Sequence, residues 1–403
     1  MEYKEILLKD LASKIGDGLH GTPSYDPKGN FYFVNGNNLE EGNIVIKDTT
    51  KTVNRETFEK YKKDLSKRTL LVSINGTIGK IAKFNNENIV LGKSACYINL
   101  NDTADKNYIY FLLKSREFQN YIQQYATGTT IKNVSLKTIR NFKVKLPALK
   151  YQNRVSTILQ NIENKIQLNY KMIANLEELS QTLFKRWFID FEFPDKDGNP
   201  YKSSGGEMID SELGEMPKNW NILTINDFAD DLIITGKTPS TKNKDNYSEK
   251  GIPFLTIPDM HTDVFSLNTI KYISEVGIEK VKNKIIPENS LCVSCIATPG
   301  LVSITSSETL TNQQINSFTP KKNDLYYLYF YIKNMKKYIE DLGSGGSATL
   351  NLNKTQFSKI KIIRPINDLL KKFHKCVDSN FKIILTKQKE NLKLQELRDT
   401  LLP

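Results

Sequence analysis

Two thiols, Cys292 and Cys295, stand three positions apart in "LCVSC" (291–295), and "HKC" (374–376) adds His374 and Cys376. Zinc takes four such sulfur and nitrogen donors in a tetrahedral site, and a Cys-x-x-Cys pair is a common half of one. The surroundings point elsewhere. The pair lies in an apolar run, and its counterparts in an earlier stretch, "TLLVSI" (69–74), are Leu71 and Ile74. Core cysteines are therefore expected, with no metal site. Four cysteines in the whole chain form no disulfide framework. "GSGG" (343–346) is glycine-rich but lacks the trailing Lys-Ser/Thr of a phosphate cradle. His20, His261 and His374 stand apart from any nucleophile spacing, so a Ser/His/Asp hydrolase has no support.

Charge is a stronger signal. The 403 residues carry 57 Lys+Arg against 45 Asp+Glu, a formal net charge of +12. Such a surplus suits a polyanion, either nucleic acid or an anionic membrane surface. No apolar run approaches the ~18 residues of a membrane span. The richest, "LYYLYFYI" (325–332), is short and predicts a buried helix. "MEYKEILLKD" is charged and lacks the apolar core of a signal peptide, so a cytoplasmic location is expected.

Reading DNA bases calls for Arg or Lys toward guanine and Asn or Gln toward adenine. Residues of that kind at turns are Asn35, Asn37, Asn38, Lys80, Lys93, Lys132 and Asn133, then Lys237, Thr238, Gln313, Gln314, Ser347 and Asn351. Thr129 and Thr130 belong to "ATGTT" (126–130), which is either a plain turn or a loop bringing backbone N–H groups to phosphate. "NPY" (Asn199, Pro200, Tyr201) resembles the motif with which adenine methyltransferases grip a flipped base. Its second proline is missing, it sits among Gly and Ser, and no Phe-x-Gly-x-Gly cofactor loop occurs. A linker is the expected reading.

These candidates are positioned by a long repeat. "LEELSQTLF" (176–184) returns as "LQELRDTLL" (394–402), identical at five of nine positions. "KDLA" (9–12) finds "NDFA" (226–229), "GTPS" (21–24) finds "KTPS" (237–240), and "VSINGTIG" (72–79) finds "VSCIATPG" (293–300). "YIQQYATGTT" (121–130) finds "YIEDLGSGGS" (338–347), and "NVSLKTIRNFKVKLP" (133–147) finds "NLNKTQFSKIKIIRP" (351–365). The order is module, helix, module, helix, with a period far too long for a solenoid. Inside the modules, β-type runs at 69–74, 44–47 and 359–365 alternate with Gly, Asn and Pro turns, and helices are expected over 107–125 and 324–341. Mixed α+β domains follow.

A 3–4 seam runs through Val155, Leu159, Ile162, Ile166, Asn169, Ile173, Leu176, Ser180, Leu183 and Trp187, the stripe of a coiled coil. The later copy is looser: Phe373, Val377, Ile384, Leu394 and Leu401 fit, and Lys387 does not. If the second module folds back, its helix can lie antiparallel on the first. Between the halves, "FEFPDKDGNPYKSSGGEMIDSELGEMPKNW" (191–220) has linker composition.

The chain resembles, over its full length, the specificity subunit of type I restriction–modification systems. The resemblance is carried by "LFKRWFIDFEFP" (183–194), "GNPYKSSGGEMIDSELGEMPKNWNI" (198–222), "SINGTIGKIA" (73–82), "GTTIKNVSLKTIRNFKVKLP" (128–147) and the two helical copies. It implies an α+β fold with two tandem target recognition domains, 1–150 and 219–366. Two long helices, 151–190 and 367–403, would separate them as an antiparallel coiled coil, with a linker at 191–218. It further implies that the chain has no catalytic site and no cofactor of its own. It would bind a bipartite, asymmetric site in double-stranded DNA and carry two methyltransferase subunits, which use S-adenosylmethionine on adenine N6. A restriction subunit, with ATP and Mg, can join. The second module departs from the pattern, with "ATPG" where the first has "GTIG". The rival readings are an orphan adenine methyltransferase, against which the missing cofactor loop argues, and a coiled-coil adaptor for proteins, against which the charge argues.

The helix of each module would serve as a spacer. From Val155 to Trp187, at ~1.5 Å per residue, it would span about 50 Å, against the ~34–36 Å of one DNA turn.

Overall fold

The structure, a computed structural model, describes residues 3–261, 263–344 and 350–402. The chain divides into two units, Met1–Ile166 with Leu394–Pro403, and Gln167–Lys393.

In the first unit every residue of Thr69–Ser73 is buried, as a central strand with an unbroken Leu-Leu-Val run allows. It pairs antiparallel with Ala95–Leu100 on one side and Ile81–Lys83 on the other, and Ala12–Asp17 adds beyond Ala95–Leu100. Lys4–Leu7 pairs with Lys143–Leu146 and closes the module. The second unit repeats this order. Leu291–Ser294 lies between Ile315–Phe318 and Val302–Thr305, with Ile234–Thr235 outside and Phe265–Ser266 added in parallel at the edge. Its closing pair is Asn221–Thr224 with Lys361–Arg364.

Two predicted helices are interrupted. The one over 107–125 is Lys106–Lys114 and Arg116–Gln124, because Ser115 adopts an extended backbone and caps the second helix through Phe118 N–H. The one over 324–341 is Leu325–Asn334 and Lys336–Gly343, parting at Met335. Leu325–Asn334 buries seven residues, four of them aromatic. The strand expected over 44–47 is only Asn43–Ile44, since Val45 N–H turns back to the Asn38 carbonyl.

The first long helix, Leu149–Phe184, continues into a π-turn, Lys185–Ile189. The wider turn lets adjacent Trp187 and Phe188 both face the core. The second long helix is Asn367–Leu401. Within the second unit the two run antiparallel: Asn169 meets Asn391, Ser180 meets Asn380, and Phe184 meets Phe373. Within the first unit the same sense holds, with Glu163 at Arg398 and Leu402 packed on the cluster that contains Leu159.

On the first helix Leu159, Ile162, Ile166, Ile173 and Trp187 are buried, while Leu176 and Leu183 are half-buried. On the second, Val377 and Ile384 are buried, Leu394 is half-buried and Leu401 is exposed. Here the seam expected from the sequence needs correction. From Phe373 onward the buried stripe runs through Phe373, Val377, Phe381, Ile384, Gln388 and Asn391, with His374 beside it, and begins with two successive steps of four. That spacing advances the stripe beyond a strict heptad. At the far end Leu402, not Leu401, packs inward. Polar Gln388 holds its place by accepting the Phe265 N–H at 3.3 Å.

The stretch with linker composition is folded. Phe193 stacks between Tyr201 and Trp220, and Met208–Ile209 pairs with Met216–Pro217. The core of the second unit is ring-rich: Phe184 touches Phe188, Tyr327, Phe330, Tyr331 and Phe373.

Candidate nucleic-acid interface

In the first module the turn between Thr69–Ser73 and Ile81–Lys83 sits against two other loops. Gly76 N–H donates to the Lys132 carbonyl at 2.9 Å, and Asn75 Nδ2 donates to Asn133 Oδ1 at 3.3 Å. Ile74 N–H donates to the Ser94 carbonyl at 2.9 Å, and Ser94 Oγ donates to Asn35 Oδ1 at 2.9 Å. Asn35, Lys93, Lys132 and Asn133 are thus gathered at one end of the sheet, with Thr129 and Thr130 in the same loop as the last two. Lys93, Thr129, Thr130, Lys132 and Asn133 are exposed. Gly76 has φ +77, a left-handed backbone that glycine tolerates without strain.

The second module builds the same junction. Ala297 N–H donates to the Leu350 carbonyl at 3.0 Å, Ile296 bridges Asn351, and Cys295 N–H donates to the Gln314 carbonyl at 2.8 Å. Thr238 Oγ1 donates to Gln313 Oε1 at 2.7 Å, and Lys237 N–H donates to the Thr311 carbonyl at 3.0 Å. Lys237, Thr238, Gln313, Gln314 and Asn351 therefore share one end of this module. Ala297 keeps the conformation of Gly76, at φ +64. Ser347 lies outside the described residues.

Three candidates stand differently. Asn38 is a correction: it is buried, and its Nδ2 donates to the Val45 carbonyl at 3.0 Å and to Thr50 Oγ1 at 2.9 Å, so it holds a turn and cannot reach a base. Asn37 is exposed, and its carbonyl accepts from Lys47. Lys80 stands where the turn meets Ile81–Lys83, its Nζ 3.8 Å from Glu40 Oε1. Sequence reasoning missed Asn75 and, in the second module, Asn312, whose Nδ2 donates to Gln314 Oε1 at 2.9 Å. Only its place before the turn glycine marks Asn75, because its counterpart in the repeat is Ile296.

A basic cleft in the first module was also not legible. Lys83 and Lys106 line it with Lys67 and Asn85. Burial, with Lys106 nearby, pulls Lys83 down to about 8, and burial likewise pulls Lys106 to about 8.

The thiols are core groups. Ser317 Oγ donates to Cys292 Sγ and Asn316 Nδ2 to Cys295 Sγ, each at 3.3 Å. Burial pushes Cys292 up to about 12 and Cys295 to about 11, far from thiolate chemistry. Cys96 is buried and Cys376 exposed. Among the described residues no three His, Cys, Asp or Glu side chains converge on a point that could hold a metal. None of the described helices is long and apolar enough to cross a membrane. Asn199 uses its backbone, accepting from Asp195 N–H and donating to Asp195 Oδ1, both at 2.8 Å, within a tight turn.

A module with one closing strand pair, one left-handed turn at the end of its central strand and one long helix is built twice. The type I restriction modification DNA specificity domain matches residues 2–178 and again 217–394. The chain is 35% identical over 326 residues to the type I restriction enzyme HindI specificity subunit of Haemophilus influenzae, covering 68% of this chain and 70% of that one. It is 24% identical over 298 residues to the MjaIX specificity subunit of Methanocaldococcus jannaschii, covering 70% and 64%. The crystal structure of a type I restriction–modification S subunit from M. genitalium shares the fold, with a TM-score of 0.56 at 18% identity over 100% of this chain and 95% of that one. The chain belongs to the family of DNA specificity subunits of type I restriction–modification systems.

Proposed function

We propose that this chain reads a bipartite, asymmetric site in double-stranded DNA, one half-site per module, and holds two methyltransferase subunits over it. The readers are residues 1–150 and 219–366, joined through the helices 151–190 and 367–403 and the folded segment 191–218. The observation that carries this reading is the turn-and-loop junction built twice, the first copy gathering exposed Lys, Thr and Asn side chains and the second exposed Lys, Gln and Asn side chains at one end of a sheet. The net charge of +12 supports a phosphate-rich partner. Exposed apolar residues on the long helices, Ile158, Leu168, Met172 and Leu179 on the first and Ile383 and Leu397 on the second, support docking of the partner subunits there.

The chain is non-catalytic and works in the cytoplasm. S-adenosylmethionine belongs to the methyltransferase subunits, and ATP with Mg belongs to a restriction subunit where one joins. Salt titration of duplex binding tests the DNA reading: the log–log slope should be steep, at roughly −0.9 per phosphate contact. A flat response sinks it. Methylome sequencing with and without the gene yields the motif. Exchanging residues 1–150 for another family member's module should then change one half of that motif alone, and a change in both halves refutes separate readers.

A further inference from the structure

Tyr110 and Lys114 of the first module recur as Tyr329 and Lys333 of the second, with the same spacing of one helical turn. In both, the lysine head lies over the tyrosine ring, 5.4 Å from its centroid. In both, it also reaches a carboxylate on the first long helix. Lys114 Nζ is 3.1 Å from Glu163 Oε1. Lys333 pairs with Glu177 Oε1, which also accepts from Tyr329 Oη at 2.6 Å. Glu163 and Glu177 occupy the same heptad position, two heptads apart.

Each pair borders its module's reading turn. Lys114 lines a cavity of about 440 Å³ with Gly79, the last residue of the first turn, whose carbonyl accepts from Gln119 Nε2 at 3.0 Å. Lys333 lines one of about 270 Å³ with Gly300, the matching residue of the second turn. A Cβ on Gly79 would lie 2.3 Å from Gln119 Oε1, and one on Gly300 2.9 Å from Lys336 Cα, so both turns press closely on their helices. Burial works to lower the Lys114 pKa, but Tyr110, Glu163 and Glu41 outweigh it and hold the value above that of an ordinary lysine. The ammonium therefore stays charged.

We propose that Tyr110–Lys114–Glu163 and Tyr329–Lys333–Glu177 are two copies of one clamp that fixes each reading turn against the long helix. Lys114 and Lys333 are then positioning residues that set how strictly the complex measures the gap between half-sites. This rests on the bipartite reading above. The first clamp is the more buried one: the side chains of Lys114 and Glu163 are 21% and 8% exposed, against 40% and 20% for Lys333 and Glu177. Arg398 also approaches Glu163 Oε2, at 3.4 Å.

The test uses the assembled methyltransferase complex and duplexes carrying its two half-sites at the native gap and at gaps one base pair shorter or longer. Lys114→Met should keep the native-gap rate within a few-fold. It should lower the preference for the native gap by about tenfold, equivalent to about 1.4 kcal/mol. Lys333→Met should lower it by about threefold, as its pair is more exposed. Lys114→Arg should retain the preference. Glu163→Gln, close to the native shape, should reproduce the Lys114→Met gap profile, and it carries the test if Lys114→Met fails to fold. An unchanged gap profile in folded complexes overturns the proposal. So does a rate loss equal at all gaps, which a merely structural role would give. If the unsubstituted complex shows no bipartite preference, the underlying function fails and the clamp with it.

Discussion

The two modules share strand order, turn geometry and a lysine–glutamate pair onto the first long helix, yet each surrounds that pair with different chemistry. The first relies on charge: Glu163, almost fully buried, sits between Lys114 and Arg398. The second relies on rings, with Phe184 enclosed by five aromatic neighbours and Trp187 against Phe373. The turns differ in the same way. Gly76 and Ala297 hold one backbone conformation, but only glycine holds it without cost. A duplicated fold thus keeps the position of its backbone while side chains diverge, provided that each local solution keeps the turn in place.

That contrast can be broken most forcefully at Phe184. Phe184→Ala should cost about 3–5 kcal/mol by emptying the ring cluster. Calorimetry should show the transition of the second unit falling and that of the first holding; equal loss in both would erase the distinction. Asn169→Ala strands Asn391 in the buried seam and should cost about 1–3 kcal/mol in denaturant titration. Replacing both residues with Leu should recover most of that, at the expense of a fixed register. Ala297→Gly should stabilise by up to about 1 kcal/mol, left-handed strain being partly offset by a freer unfolded chain. Gly76→Ala should destabilise by about 1–2 kcal/mol. Thermal melts giving both the same sign would show that the turns are not equivalent. Asn199→Ala should change neither stability nor methylation by the complex, because its turn uses backbone atoms. Lost methylation in an assembled, DNA-bound complex would return catalytic standing to "NPY".

The fold class was legible because a duplication writes its evidence twice: two "VS" strands ending in turns, two proline-closed strands, two helices with a shared ending. The phase of the second helix was not. Gln388 and Asn391 are polar, and only their partners, the Phe265 backbone and Asn169, reveal them as seam positions. Asn38 misled for a related reason. An asparagine in a turn looks the same in sequence whether its amide faces solvent or, as here, Val45 and Thr50. Clustering of the candidate loops was equally hidden, since Asn133 and Asn75 meet through backbone pairing between distant segments.

The antiparallel return of the second helix also governs how the chain is made. The first unit includes Leu394–Pro403, so Gln167–Lys393 must be synthesised before Arg398 and Leu402 can join it. At ~5–20 residues per second, that interval is on the order of 10–50 s. Throughout it, the nascent first module lacks the contribution of Leu402 to the apolar cluster that holds Val155 and Leu159, and Glu163 has Lys114 but not Arg398. Chaperone binding during translation should therefore concentrate on the first module, although it emerges first. The second module, continuous in sequence, can close as soon as Asn391 meets Asn169.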